Sequence, residues 1–143
     1  MSILEQAIAL AVSAHTGQVD KAGAPYILHP LRLMLSLQTE PERIVAVLHD
    51  VVEDCGVSLE DLKMRGFSAE VVAAIEAVTR RTGESYEDFV LRAAANPIGR
   101  RVKLADLRDN SDLGRIDQPS DEERRRVEKY QRPIRLIEGQ ARE

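Results

Sequence analysis

Apolar residues at Ile3, Leu4, Ala7, Ile8, Leu10, Ala11 and Ala14 recur at the three-to-four-residue interval of a helix, which predicts a first helix over 3–15. Gly17, Gly23 and Pro25 then mark a loop. A second helix is predicted from near His29, with Pro30 in the first turn, where its missing N–H forfeits no bond. Pro41 opens a third, which runs to about Cys55 and stops at Gly56. Ser58 with Asp61 caps a short helix ending before Gly66, and Ser68 caps another reaching about Arg81. Ser85 with Asp88 repeats the signal for 86–95, Asn96-Pro97 begins a helix reaching Ile116, and Ser120 with Glu123 opens one over 121–138. No segment alternates with a period of two between hairpin turns. The expected fold is all-α, a single compact domain over 1–143 with about seven to eight helices.

Composition sharpens this picture. The chain has 143 residues, enough for one ordinary domain and too few for two. It has no Trp, two Phe and three Tyr, so the core must be built from Leu, Ile, Val and Ala, which suits packed helices. A net charge of −4 argues against general nucleic-acid binding, which needs a field of Lys and Arg; an anionic ligand would need local basic residues and a metal. The single Cys55 excludes an internal disulfide and a Cys-rich zinc site, and fits a reducing compartment.

The apolar run Ala7–Val12 is short, follows Glu5 and Gln6, and has no Lys or Arg before it, unlike a signal peptide. No stretch has the length of a membrane span. A cytoplasmic protein without membrane or nucleic-acid partners is expected. The mixed-sign run Asp121–Arg132 reads as a solvated helix face. That helix either covers the domain or pairs with another copy in a homo-oligomer; the pattern is compatible with both.

Three histidines are few, so their placement carries information. His49, Asp50, Glu53 and Asp54 form H-D-V-V-E-D. On a continuous helix, at about 100° per residue, these side chains fall within an arc of roughly 140°. Glu42 and Arg43 share that arc, so the wheel alone describes any amphipathic helix. More telling is the rest of the set. His29 stands at a loop-to-helix junction, and Asp106 lies in V-K-L-A-D on an edge shared with Val102 and Leu113, where a carboxylate is costly unless neutralised or coordinated. Two imidazoles and two carboxylates suit a Mn, Fe or Zn ion. Neighbours at 49 and 50 cannot enclose an ion alone, and His29 and Asp106 can supply what they lack.

The segments A-H-T-G-Q (14–18), D-K-A-G-A-P-Y-I-L-H-P-L (20–31), H-D-V-V-E-D (49–54) and K-L-A-D (103–106), with Asn110, resemble the hydrolase half of the RelA/SpoT proteins. The likeness is greater to their small stand-alone versions, within the HD-domain superfamily, and it extends to about residue 116. The resemblance implies metal ligation by His29, His49, Asp50 and Asp106, with Mn²⁺ the usual cation. It implies water activation by Glu53 and Asp54, with Glu53 the first choice, and substrate contact by Lys21 and Asn110. Tyr26, in the same loop motif, touches the base or packs. The implied reaction removes the 3′-pyrophosphate of guanosine tetra- or pentaphosphate, giving GDP or GTP. Two positions depart from the pattern: Cys55 stands where many relatives have Thr, and Val19-Asp20 precedes Lys21 where other branches are more basic. A separate synthetase domain has no room here, so pyrophosphokinase activity is not expected.

Other residues read more plainly. His15 suits a packing or capping role near the site, and Cys55 a small helix-end position. Arg80, Arg81, Arg100 and Arg101 read as solvated. Arg32, one turn after His29, is better placed to hold substrate, with Lys103 and Arg108 comparable on the Asp106 helix. Two further readings remain compatible with the same residues: an HD-domain phosphohydrolase of another nucleotide or phosphorylated cofactor, and a helical metal- or nucleotide-binding module without turnover.

Overall fold

The computed structural model describes residues 1–112 and 120–140. It is all-α, with nine helices among the described residues: α1 (Ile3–Ala14), α2 (Leu28–Ser36), α3 (Glu40–Leu48), α4 (Val51–Cys55), α5 (Leu59–Met64), α6 (Ala69–Ala77), α7 (Tyr86–Ala95), α8 (Pro97–Asn110) and α9 (Asp121–Gln140). The caps fall where the sequence puts them. The hydroxyls of Ser58, Ser68, Ser85 and Ser120 accept backbone N–H groups three residues on, and Asp61 and Glu123 reach back to complete capping boxes.

Helix α3 is the centre of the molecule. Val45, Ala46, Val47 and Leu48 are fully buried, so apolar residues occupy every side of its last turn rather than one stripe. It packs against α1, α2, α6 and α8, and those helices form the main core. At the start of α8, Gly99 lets two backbones approach: a Cβ there would meet the Ala93 carbonyl oxygen at 3.0 Å and the Ala77 Cβ at 3.3 Å. A second, smaller core joins α7, α8 and α9 through Val90, Ala94, Leu107, Ile134 and Ile137. The C-terminal helix therefore covers its own domain.

The structure corrects two expected boundaries. The helix expected over 41–55 breaks between Leu48 and Val51. The His49 N–H and its ring Nδ1 both turn to the Ala46 carbonyl, at 3.5 and 2.7 Å, the acceptor an unbroken helix would give to the Asp50 N–H. The four polar residues of 49–54 thus do not share one helical arc. Helix α6 ends at Ala77, short of Arg81. Helix α8 is described to Asn110, and the expected continuation to Ile116, with Leu113, lies outside the described residues. No described helix is long and apolar enough to cross a membrane.

Candidate functional site

Local structure aims each donor. His29 is the second residue of α2, followed in that first turn by Pro30, which leaves the ring at the helix mouth, buried to 6% exposure. The break after α3 turns His49 and Asp50 inward together, and Asp106 comes from the buried edge of α8. His29 Nε2 lies 2.8 Å from Asp106 Oδ1, and His49 Nε2 lies 3.0 Å from Asp50 Oδ2 and 3.6 Å from Asp106 Oδ1. One ligand atom from each of His29, His49 and Asp50 fits within a 4.8 Å cluster. Four side chains from three stretches of chain meet at one point.

The outward nitrogens of the two rings are spoken for. Nδ1 of His49 faces the Ala46 carbonyl at 2.7 Å, and Nδ1 of His29 faces Asp109 Oδ2 at 2.6 Å. Both partners are acceptors, so each Nδ1 carries a proton; Nε2 of His29 also faces a carboxylate, Asp106 Oδ1, and each Nε2 turns a lone pair to the centre once a cation displaces its proton. His49 Nε2 is buried with no hydrogen bond among the described residues, despite its short distance to Asp50. Atoms this close without hydrogen-bond alignment are the arrangement co-ligands of a cation adopt. The donor set therefore fits a divalent metal.

The electrostatics agree. Burial opposes charge on both imidazoles, but the carboxylates prevail: Asp106 and Asp109 raise the His29 pKa, while Asp50 and Asp106 lift His49 well above an ordinary imidazole. Burial also opposes ionisation of Asp106, and Lys103, His29 and His49 overcome it, holding that carboxyl well below the usual range. The Tyr26 hydroxyl donates to Asp50, and burial beside that carboxylate pushes the phenol's pKa up.

Glu53 and Asp54 line the same cavity of about 200 Å³, with Lys103 and Asn110. Both are exposed to solvent at its rim; partial desolvation and the Asp50 charge raise their pKa values. Oε1 of Glu53 accepts the Arg80 backbone N–H at 3.1 Å. The Lys103 ammonium donates to Asp106 Oδ2 at 3.1 Å and lies 4.7 Å from the centroid of the Phe89 ring. Asn110 Nδ2 donates to Asp106 Oδ1 at 3.2 Å.

A larger cavity of about 600 Å³ opens beside this one and shares Tyr26, His29 and Asn110 with it. Lys21 lines it at the tip of the 17–27 loop, which is pinned by the Val19–Pro25 bridge and by the Asp20 carboxylate, which accepts the Ala22 and Ala24 N–H groups. The unexpected acid before Lys21 is a turn residue. Arg32 also lines this cavity, but its guanidinium forks onto Asp109 at 2.9 and 3.0 Å. His15 is buried behind the loop, with Nδ1 2.8 Å from Gln18 Oε1 and 3.4 Å from Cys55 Sγ.

Sequence reasoning missed three residues. Asp109 lies one turn beyond Asp106, and that i,i+3 spacing was the available signal. Arg126 and Tyr130, spaced i,i+4 on α9, line the larger cavity, although the run that holds them reads as solvated. Most of that run is exposed; one edge of the helix is not.

The family model described as HD domain matches residues 7–109. The guanosine-3′,5′-bis(diphosphate) 3′-pyrophosphohydrolases of Aquifex aeolicus and Vibrio cholerae are each 34% identical, over 75% and 74% of this chain but 17% and 15% of their own lengths. A GTP pyrophosphokinase of Streptomyces coelicolor is 34% identical over 75% of this chain and 14% of its own. The chain thus spans less than a fifth of these relatives. A solved structure of a metazoan ortholog of SpoT that hydrolyzes ppGpp superposes with a TM-score of 0.77 at 22% identity, covering 96% of this chain and 85% of that one. At that identity the likeness concerns the fold.

Proposed function

This chain belongs to the HD-domain family, and on that premise we propose that it is a Mn²⁺-dependent hydrolase removing the 3′-pyrophosphate from guanosine tetra- and pentaphosphate. The observation that carries the reading is the convergence of His29, His49, Asp50 and Asp106 beside a cavity of nucleotide size with Lys21 and Arg126 on its walls. The names of the relatives that match three-quarters of the chain support the substrate.

His29, His49, Asp50 and Asp106 would hold the ion. A divalent cation there supplies Lewis acidity, offsetting phosphate charge and favouring ionisation of water. Glu53, exposed at the cavity rim and with one oxygen fixed by the Arg80 N–H, takes the proton of the attacking water on its other oxygen. Asp54 assists from the next position. Lys21 and Arg126 receive the phosphates, Asn110 and Tyr26 face the ribose and base, and Tyr130 closes the far wall. Arg32 acts mainly through Asp109, holding the carboxylate that orients His29. Water is added across the ester joining the 3′-diphosphate to ribose, giving the 5′-di- or triphosphate nucleoside and pyrophosphate.

Incubation of the Mn²⁺-loaded protein with guanosine tetraphosphate tests the reading: GDP and pyrophosphate are the expected products. Phosphate release from other nucleotides alone would overturn the substrate, and no turnover of any of them would leave a binding module. Asp106→Ala should lose metal and most activity, and full metal occupancy in that variant would remove Asp106 from the site.

A further inference from the structure

The loop between α6 and α7, residues 78–85, is held with unusual firmness for a surface connection. A single guanidinium does most of this. Arg92, on α7, donates from Nε to Glu84 Oε2 at 2.8 Å and from Nη2 to Glu84 Oε1 at 2.9 Å. The same group donates to the Thr79 carbonyl at 2.7 Å and to the Glu76 carbonyl at 2.9 Å, the latter shared with the Thr79 N–H at 3.1 Å. Glu84 in turn accepts the Arg81 N–H at 3.1 Å, and its own carbonyl receives the Arg80 guanidinium at 3.2 and 3.1 Å. The Glu84 carboxyl is lowered to about 2, chiefly by the Arg92 hydrogen bonds.

Val78 of this loop lines the smaller cavity, and among the described residues one hydrogen bond of the loop reaches the candidate centre. The Arg80 N–H, in the same peptide group as the clasped Thr79 carbonyl, donates to Glu53 Oε1 across 27 positions of sequence. We propose that Arg92 and Glu84 form a clasp that positions Glu53: by fixing the Arg80 peptide, it occupies one oxygen of the carboxylate and presents the other to water. This rests on the assignment of Glu53 as the group that takes the water proton. Arg92 and Glu84 are positioning residues and line neither cavity of the site.

The planar fork matters as much as the charge. Only a guanidinium can join a carboxylate in two parallel bonds and still reach two carbonyls; a lysine ammonium has three donors on a flexible stem. A residue that merely stabilised the loop would affect melting and substrate affinity together. A positioning residue lowers the rate of the bound complex and leaves binding alone, because geometry at the reacting atoms is what changes.

The test uses the full Mn²⁺-loaded chain as wild type, Arg92→Lys, Arg92→Met and Glu84→Gln. Each is assayed for kcat and KM with guanosine tetraphosphate, for metal content and, in the metal-free protein, for exchange of the Arg80 amide hydrogen by NMR. Arg92→Lys and Arg92→Met should lose about ten- to a hundredfold in kcat, with KM and metal content held. Arg80 exchange should accelerate in both, and in Glu53→Ala. Glu84→Gln should fall between them and wild type, since it keeps one acceptor oxygen. Unchanged kcat in Arg92→Lys, or unchanged Arg80 protection, overturns the proposal. Where Arg92→Met does not melt cooperatively, Arg92→Lys and Glu84→Gln carry the test. A wild-type protein that does not hydrolyse the nucleotide overturns the substrate assignment instead; the clasp is then judged on Arg80 exchange alone, and Arg92→Lys that leaves it unaltered sinks it.

Discussion

Nδ1 of His29 lies 2.6 Å from Asp109 Oδ2, and that carboxylate is itself gripped by both donors of the Arg32 fork. The chain Arg32–Asp109–His29 fixes the ring's tautomer and aims Nε2 at Asp106. A carboxylate behind a ligand imidazole also makes it a stronger donor. Asp109→Asn should therefore weaken metal binding by about ten- to a hundredfold, measured by competition with a chelator. The other three ligand residues remain in place, so binding should persist at higher metal concentration. An affinity within twofold of wild type would deny Asp109 this role.

Glu53→Gln separates an enzyme from a binding module. The amide keeps the carbonyl oxygen that accepts the Arg80 N–H, so the local fold should survive. It cannot take a proton from water, so turnover should fall by about a hundred- to ten-thousandfold. Metal content and melting temperature should barely move. Turnover at the wild-type rate would transfer the proton step to Asp54 or to another group.

The metal-free protein should respond to pH in a distinctive direction. Burial disfavours charge on His29 and His49, but their carboxylate partners raise both folded-state pKa values above the ordinary imidazole value, His49 well above it. Unfolding releases these rings to pKa values of about 6.5. Their stabilising contribution is then complete below that pH and fades as pH rises through the folded values. Thermal melts of the chelated protein should show stability falling from about pH 6.5 upward. Metal must displace the same protons, so its affinity should climb over that range, with proton release detectable by calorimetry in buffers of different ionisation enthalpy. A metal-free stability that rises through this window would contradict protonated rings at the centre.

The parts of the fold legible in the sequence were those set by local chemistry. Ser58, Ser68, Ser85 and Ser120 announce their helices because capping needs only a hydroxyl and an N–H three residues away. The break at His49 was not legible, because it depends on a ring turning back onto the Ala46 carbonyl. Periodicity continues through 41–55 as if nothing happened. The same limit applies to the site. His29, His49, Asp50 and Asp106 stand out by residue type and motif, and the structure brings them together. Arg126 and Tyr130 look like surface residues until α9 is laid against α7 and α8, a contact made through Ile134 and Ile137. Arg92 is invisible for a similar reason: its partners at Glu76, Thr79 and Glu84 meet only when α6 stops early.

Lys103 offers a last test, one that links stability to metal. Its ammonium is buried to 8% exposure, packed over the Phe89 ring and bonded to Asp106 Oδ2. Without metal, Lys103 is the largest influence holding Asp106 ionised against burial. Lys103→Met fills the same space but leaves that carboxylate short of positive charge. Removing one partner of a buried pair costs about 3–5 kcal/mol, and the lower end applies because His29 and Asn110 still hold Oδ1. In the metal-free protein the variant should melt on the order of 10 °C lower. With Mn²⁺ present the cation neutralises Asp106 in the lysine's place, so most of that deficit should vanish. Differential scanning calorimetry of both proteins, with and without metal, gives the comparison. An equal loss in the two states would mean that Lys103 contributes through its packing on Phe89, and that its charge is not coupled to the ion.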